Sequence, residues 1–297
     1  MSGAGVRDFK RRIRSVTNTQ QITKAMKMVA AAKLRKAQER AEASRPYTET
    51  LYNTLAALSG VVDAGSLHPL LEVRKEVRKV AYVVVTADRG LAGAYNTNVI
   101  RAASETIAAD ERENVESYII AVGRKVRDFY RKRGGLVAEY LNLGDDVSYA
   151  DAKEITDYVM HAYQEEAFDE VYVVYAKFIN ALRHIPTVTR LIPLEPPDEE
   201  AQESTEESLD ITFIYEPDSE TIMHSLLPRY LGSLIYNAML ESKASEQGAR
   251  MTAMSSATEN AGEIINNLTL EMNKVRQAAI TDEILDIVGG AEALSTQ

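Results

Sequence analysis

Residues 24–36, Lys24-Ala25-Met26-Lys27-Met28-Val29-Ala30-Ala31-Ala32-Lys33-Leu34-Arg35-Lys36, form a basic run with the residues best suited to binding chemistry. A basic run of this kind commonly solvates a helix face. Here methionine and valine widen the apolar surface at the same level, so contact with an acidic protein stands beside the solvated-face explanation. The glycines promise less. Thr86-Ala87-Asp88-Arg89-Gly90-Leu91-Ala92-Gly93 has neither the spacing of a dinucleotide loop nor the Gly-Lys-Ser/Thr of a phosphate loop, and Gly123-Arg124-Lys125 is no closer. Both are expected to be tight turns feeding helices. The histidines His68, His161, His184 and His224 form no metal-spaced pair, and the absence of cysteine removes thiolate nucleophiles, disulfides and Cys-ligated metals. No Ser, His and Asp constellation emerges either, so catalytic, cofactor-binding and metal-ligating residues are all expected to be absent.

The basic run lies in a segment whose apolar residues recur by threes and fours. Val6, Phe9, Ile13, Val16 and, further on, Ala30, Leu34, Ala37, Leu51, Leu55 and Leu58 keep one heptad register. That seam turns polar at Gln20, Thr23 and Lys27, at the level of the basic run. Pro46 predicts a kink or loosening near Ser44. A second register runs from Met223 through Leu226, Tyr230, Leu240, Met251, Met254, Ile265 and Val275 to Ala279, with Asp218 or Ser219 as cap, an early kink at Pro228 and an interruption at Gly289-Gly290. At about 1.5 Å per residue, helices of this length exceed any compact globule, so much of the pair is expected to project.

Between them the pattern alternates. Val80 to Thr86, Val115 to Val122, Leu136 to Leu143 and Val171 to Phe178 have strand composition, separated by helical stretches at Ala92 to Ala109, Lys125 to Lys132 and Ala150 to Ala167. Three strand-helix-strand units predict a mostly parallel sheet with helices on both faces. Val188 to Leu194 and Ile211 to Tyr215 are candidate edge strands, and Glu195 to Asp210, with no basic residue, is a candidate exposed acidic loop. The expected class is therefore α/β: a long antiparallel two-helix coiled coil from the terminal segments, 1–60 and 217–297, flanking an inserted Rossmann-like domain at 61–216.

In bulk the chain is ordinary, with 45% hydrophobic and 26% charged residues in 297. Its net charge of −10 hides an asymmetry, because the first 60 residues hold twelve Lys and Arg against four Asp and Glu. Few aromatics interleave with these cations, which argues against nucleic acid as the partner. No apolar run approaches the roughly 20 residues that span a bilayer, and no secretory signal precedes Phe9.

Four strings, in order along nearly the whole chain, resemble the gamma subunits of bacterial rotary (F-type) ATP synthases. They are ITKAMKMVAAAKLRKAQ at 22–38, Asp88-Arg89-Gly90-Leu91, MTAMSSATENA at 251–261 and RQAAITDEILDIVGGAEAL at 276–294. The resemblance implies a non-catalytic central-stalk rotor that couples ion-driven rotation to conformational change at catalytic sites on a ring of three alpha and three beta subunits. It implies that Arg276, Gln277 and Thr281 engage a loop of the catalytic beta subunit, that Met26 faces its acidic hinge with Lys27 beside it, and that Ile284, Leu285, Ile287 and Val288 form an apolar tip in a hydrophobic sleeve. Lys24, Lys33 and Lys36 complete an expected basic collar against acidic surfaces of the ring. Further implied partners are the epsilon subunit and the c-subunit ring, with membrane association only through the complex at the cytoplasmic face of a bacterial membrane. Ala92 stands where many members carry cysteine, which excludes thiol control.

Overall fold

A computed structural model of the chain describes residues 2–59, 68–194 and 218–295. The expected acidic loop at 195–210 and the candidate strand at 211–215 lie outside the described residues. The chain forms two compact units, one of residues 1–30 and 251–297, the other of residues 31–250. Two long helices, α1 (Ser2–Ser59) and α5 (Ser219–Ser295), contribute to both.

In the first unit the two helices run antiparallel. Gln20 Nε2 donates to the Thr258 carbonyl at 3.3 Å, the Thr23 and Thr258 hydroxyls lie 2.8 Å apart, and Lys27 Nζ donates to Ser255 Oγ at 2.9 Å. Each step forward on α1 meets a step back on α5. The polar stretch of the seam is thereby explained: the small residues Thr23, Ala30 and Ala261 are buried there beside Met254, and hydrogen bonds across the pair replace apolar bulk.

In the second unit a five-stranded sheet has the order β3-β2-β1-β4-β5, with β1 (Lys79–Val85), β2 (Glu116–Val122), β3 (Leu136–Tyr140), β4 (Glu170–Phe178) and β5 (His184–Ile192). The first four strands are parallel, and β5 returns as an antiparallel hairpin on β4. Side chains alternate along β1. Val80, Tyr82 and Val84 pack with α2 (Tyr95–Arg112) and α3 (Arg124–Tyr130), through Tyr95, Val99, Val126 and Tyr130. Ala81, Val83 and Val85 share the other cluster with Ile155, Val159 and Tyr163 of α4 (Tyr149–Gln164), with Leu55 and Leu58 of α1, and with Leu227, Leu231 and Ile235 of α5. The predicted helices on both faces are present, and one of those faces also carries the terminal helices. At about 25 cal/mol per Å² of apolar surface, this burial dominates the attachment of α1 and α5 to the sheet.

Several expected boundaries move, for local reasons. β5 begins at His184, not Val188, because Asn180 Oδ1 accepts from the backbone of Leu182 and Arg183 and closes a tight hairpin. β3 stops at Tyr140 where Asn142, at φ 59°, leaves the extended region. α2 starts at Tyr95 because residues 92–94 form a turn, with Tyr95 N–H on the Ala92 carbonyl. Pro46 and Pro228 are absorbed into the unbroken helices α1 and α5, and α5 continues through the expected interruption at Gly289-Gly290 to Ser295.

Candidate functional site

In an open parallel sheet the crevice at the strand carboxyl ends is the usual ligand site. Here α5 fills it. Ser242 Oγ lies 2.7 Å from the Tyr95 hydroxyl and donates at 3.4 Å to the carbonyl of Val85, the last residue of β1. Ser245 Oγ donates at 2.8 Å to the Ala176 carbonyl on β4. Burial pushes the Tyr95 hydroxyl well above its ordinary pKa, so it serves as a neutral hydrogen-bonding group. The cavity left beside these residues, lined by Thr86, Gly123, Gly144, Ser242, Lys243 and Glu246, has a volume of about 40 Å³. That is room for a few waters, far below the roughly 300 Å³ at which small-molecule pockets begin. Among the described residues no group of three or more His, Cys, Asp or Glu is placed to hold a metal.

Charge concentrates around this filled crevice. Lys33 Nζ of α1 reaches Asp145 at 2.7 Å, Lys36 Nζ reaches Asp146 at 2.8 Å, and Arg40 reaches Asp146 at 3.0 Å. From α5, Lys243 lies 3.8 Å from Asp145, donates to the Gly144 carbonyl at 2.9 Å and pairs with Glu246 at 3.2 Å. Glu246 also holds Arg250 at 2.7 Å, and Arg250 donates to the Gly90 carbonyl. The hydrogen bond from Lys33 holds the Asp145 carboxyl below its ordinary range, with Lys243 and Arg89 adding to the effect; the bond from Lys36 does the same for Asp146, with Arg40. Two of the expected collar lysines are thus engaged by the chain's own β3–α4 loop.

The remaining expected contact residues lie in the two-helix unit. Lys24 and Lys27 are exposed, Met26 is half-buried, and Ile22, Met28 and Val29 leave an apolar surface around them. On α5, Arg276 and Gln277 are exposed, and the exposed Thr281 donates back to the Gln277 carbonyl at 3.0 Å. Ile284, Leu285, Ile287 and Val288 are 55%, 62%, 72% and 56% exposed; their spacing puts them on one side of the helix, opposite Asp282 and Asp286, so this length of α5 presents an uncovered apolar face. Sequence reasoning did not find Asp145, Asp146, Lys243, Glu246 or Arg250. The spacing of Lys243, Glu246 and Arg250 on one helical face was a usable signal; the pairing of Asp145 with Lys33, 112 residues away, was not.

Comparison with known proteins gives a consistent result. A family model described as ATP synthase matches residues 5–294. The chain is 49% identical over 290 residues to the ATP synthase gamma chain of Pelotomaculum thermopropionicum, covering 97% of this chain and 99% of the relative. It is 50% identical over 293 residues to that of Heliobacterium modesticaldum, covering 98% and 99%. Among solved structures, the central stalk and c-ring of the Tetrahymena thermophila mitochondrial ATP synthase contain a chain that matches with a TM-score of 0.59 at 26% identity, over 80% of this chain and 99% of that one. A chain of the Euglena gracilis mitochondrial ATP synthase shares the fold at a TM-score of 0.67 and 22% identity, over 98% and 95%.

Proposed function

The chain belongs to the family of ATP synthase gamma chains, the non-catalytic rotor subunits of the central stalk, and from that premise we propose how its residues couple rotation to catalysis. The observation that carries the proposal is the filled crevice: α5 occupies the place where such a sheet would bind a ligand, which suits a shaft anchored in its sheet domain and leaves nucleotide chemistry to partner subunits. Partnership with the ATP synthase complex is taken here to mean three alpha and three beta subunits, an epsilon subunit and a c-subunit ring. The chain is then peripheral, at the cytoplasmic face of a bacterial membrane. No helix among the described residues is long and apolar enough to cross one.

As the shaft turns, its different faces meet each catalytic subunit in sequence. Only contacts that differ between conformations of that subunit can shift its nucleotide affinity. Met26 and Lys27 on α1, with Arg276, Gln277 and Thr281 on α5, are the proposed contact residues, Lys24, Lys33 and Lys36 the proposed collar, and Ile284, Leu285, Ile287 and Val288 the apolar bearing. Exposed ion pairs are worth about 0 to 1 kcal/mol each, which suits contacts made and broken at every step.

Two experiments test the assignment. Co-purification with alpha and beta subunits is expected, and its failure removes the rotor reading. In reconstituted membranes, Lys27→Ala should leave assembly and ATP hydrolysis within about twofold of the parent, since it deletes one exposed pair. Lys27→Glu should lower ATP-driven proton pumping more than hydrolysis, through like-charge repulsion with an acidic partner. Unchanged pumping in the Glu variant would sink the proposed contact.

A further inference from the structure

The cations around the β3–α4 loop outnumber the carboxylates they meet. Lys33, Lys36, Arg40, Lys243 and Arg250 are linked by ion pairs to Asp145, Asp146 and Glu246, and Arg89 acts on Asp145 at longer range. Three elements therefore build one patch with surplus positive charge. Its two aspartates are unlike Glu246. The Glu246 side chain is 7% exposed and sits under its partners, whereas Asp145 and Asp146 are 54% and 55% exposed on a loop lying over the patch.

We infer that the Asp145-Asp146 loop is an internal stand-in for an acidic protein segment, occupying a cationic docking patch of Lys33, Lys36, Arg40 and Lys243 until carboxylates of that segment replace it. The inference rests on the rotor reading for where such a segment comes from, and supplies what that reading lacks: a reason for the collar lysines to be already paired. Three observations support exchange over permanent bracing. Each pair is solvent-exposed on at least one side, so its net worth is small and a multivalent competitor can displace it. The loop has the means to swing, because Gly144 at φ 74° and Asn142 at φ 59° precede the aspartates. It is also bounded: Val147 is buried, and Ser148 caps α4 in a capping box with Asp151, so displacement is confined to a few residues and does not unwind the helix. No aromatic side chain takes part in these pairs, which favours a carboxylate-bearing chain over a nucleic acid.

The test uses the full-length chain and a fluorescein-labelled octaglutamate peptide at low ionic strength. Asp145→Asn with Asp146→Asn should tighten peptide binding by about fivefold to tenfold, the scale of losing one or two exposed pairs as competitors. Adding Lys33→Ala and Lys36→Ala should remove that gain. A control of equal charge change, Asp128→Asn with Asp157→Asn, removes partners of Arg127 and Lys153, cations not paired with Asp145, Asp146 or Glu246, and should bind as the parent does. No gain in the first variant, or the same gain in the control, overturns the inference. So does a duplex DNA oligomer whose affinity rises as much as that of the peptide. Co-purification with alpha and beta subunits is scored on the same variants. Assembly without any peptide gain rejects the stand-in alone; gain without assembly supports the acid-binding patch and rejects the rotor reading.

Discussion

Gly123 follows β2 at φ 97°, and a Cβ there would lie 2.3 Å from the Thr86 carbonyl oxygen, against backbone that cannot give way cheaply. Gly123→Ala is therefore expected to cost about 2–4 kcal/mol in urea denaturation of the isolated chain, through strain and a displaced β1–α2 loop. His68 offers a residue-scale test in pH. Its Nδ1 accepts from Leu70 N–H at 3.1 Å, its ring centroid lies 4.6 Å from that of His224, and burial, helped by His224, lowers its pKa to about 4. The unfolded chain, with a histidine near 6.5, then binds the extra proton first. Stability should be fully present above about pH 6.5 and fall towards pH 4, by on the order of 2 kcal/mol, and His68→Gln should flatten that limb of the stability–pH curve. A curve that keeps its slope in the variant would assign the effect elsewhere, with His184, also lowered by burial, as the next candidate.

Elements were legible where period and composition agreed. β1, β2 and β4 appear within a residue or so of expectation because Val-rich runs in parallel strands are buried on both faces and read as continuous apolar segments. Ends were less legible, since Asn142 acts through a positive φ and Asn180 through side-chain hydrogen bonds to the turn, neither of which composition records. The seam break of the two-helix unit makes a prediction at this scale. The Thr23 and Thr258 hydroxyls meet across the helices, each also bonded to a carbonyl of its own helix, Gln20 and Met254, and Thr23 is buried. Thr258→Val alone should destabilise by about 0.5–1.5 kcal/mol, because it removes the hydrogen bond across the helices while Thr23 keeps the Gln20 carbonyl at 3.0 Å. Thr23→Val combined with it should cost little more than the single change, as the shared hydrogen bond is already gone. Additive losses in a double-mutant cycle would show that the hydroxyls do not depend on each other.

For the whole molecule the exposed apolar length of α5 separates stability from assembly. Leu285 and Ile287 are 62% and 72% exposed, so Leu285→Ser with Ile287→Ser removes almost no packing from the isolated chain, and its unfolding midpoint should move by less than the equivalent of about 0.5 kcal/mol. If that surface is the bearing of a rotor, the same variant should weaken assembly with alpha and beta subunits. A large stability loss in the isolated chain would instead mean that the segment packs within the subunit itself.

The sequence alone determined the two long helices, the alternating middle and the family, because heptad periodicity, buried strand runs and long motif strings are local properties carried in chain order. It also showed that no phosphate-binding loop follows β1, since that chemistry needs particular glycines at fixed spacing. The tertiary structure alone decided that α5 fills the crevice at the strand ends, and that Lys33 and Lys36 already meet Asp145 and Asp146. Those outcomes depend on which surfaces the fold brings together across more than 100 residues, as with the 110 residues between Lys36 and Asp146. A charge read along the chain has a sign and a neighbour; only packing in three dimensions gives it a partner.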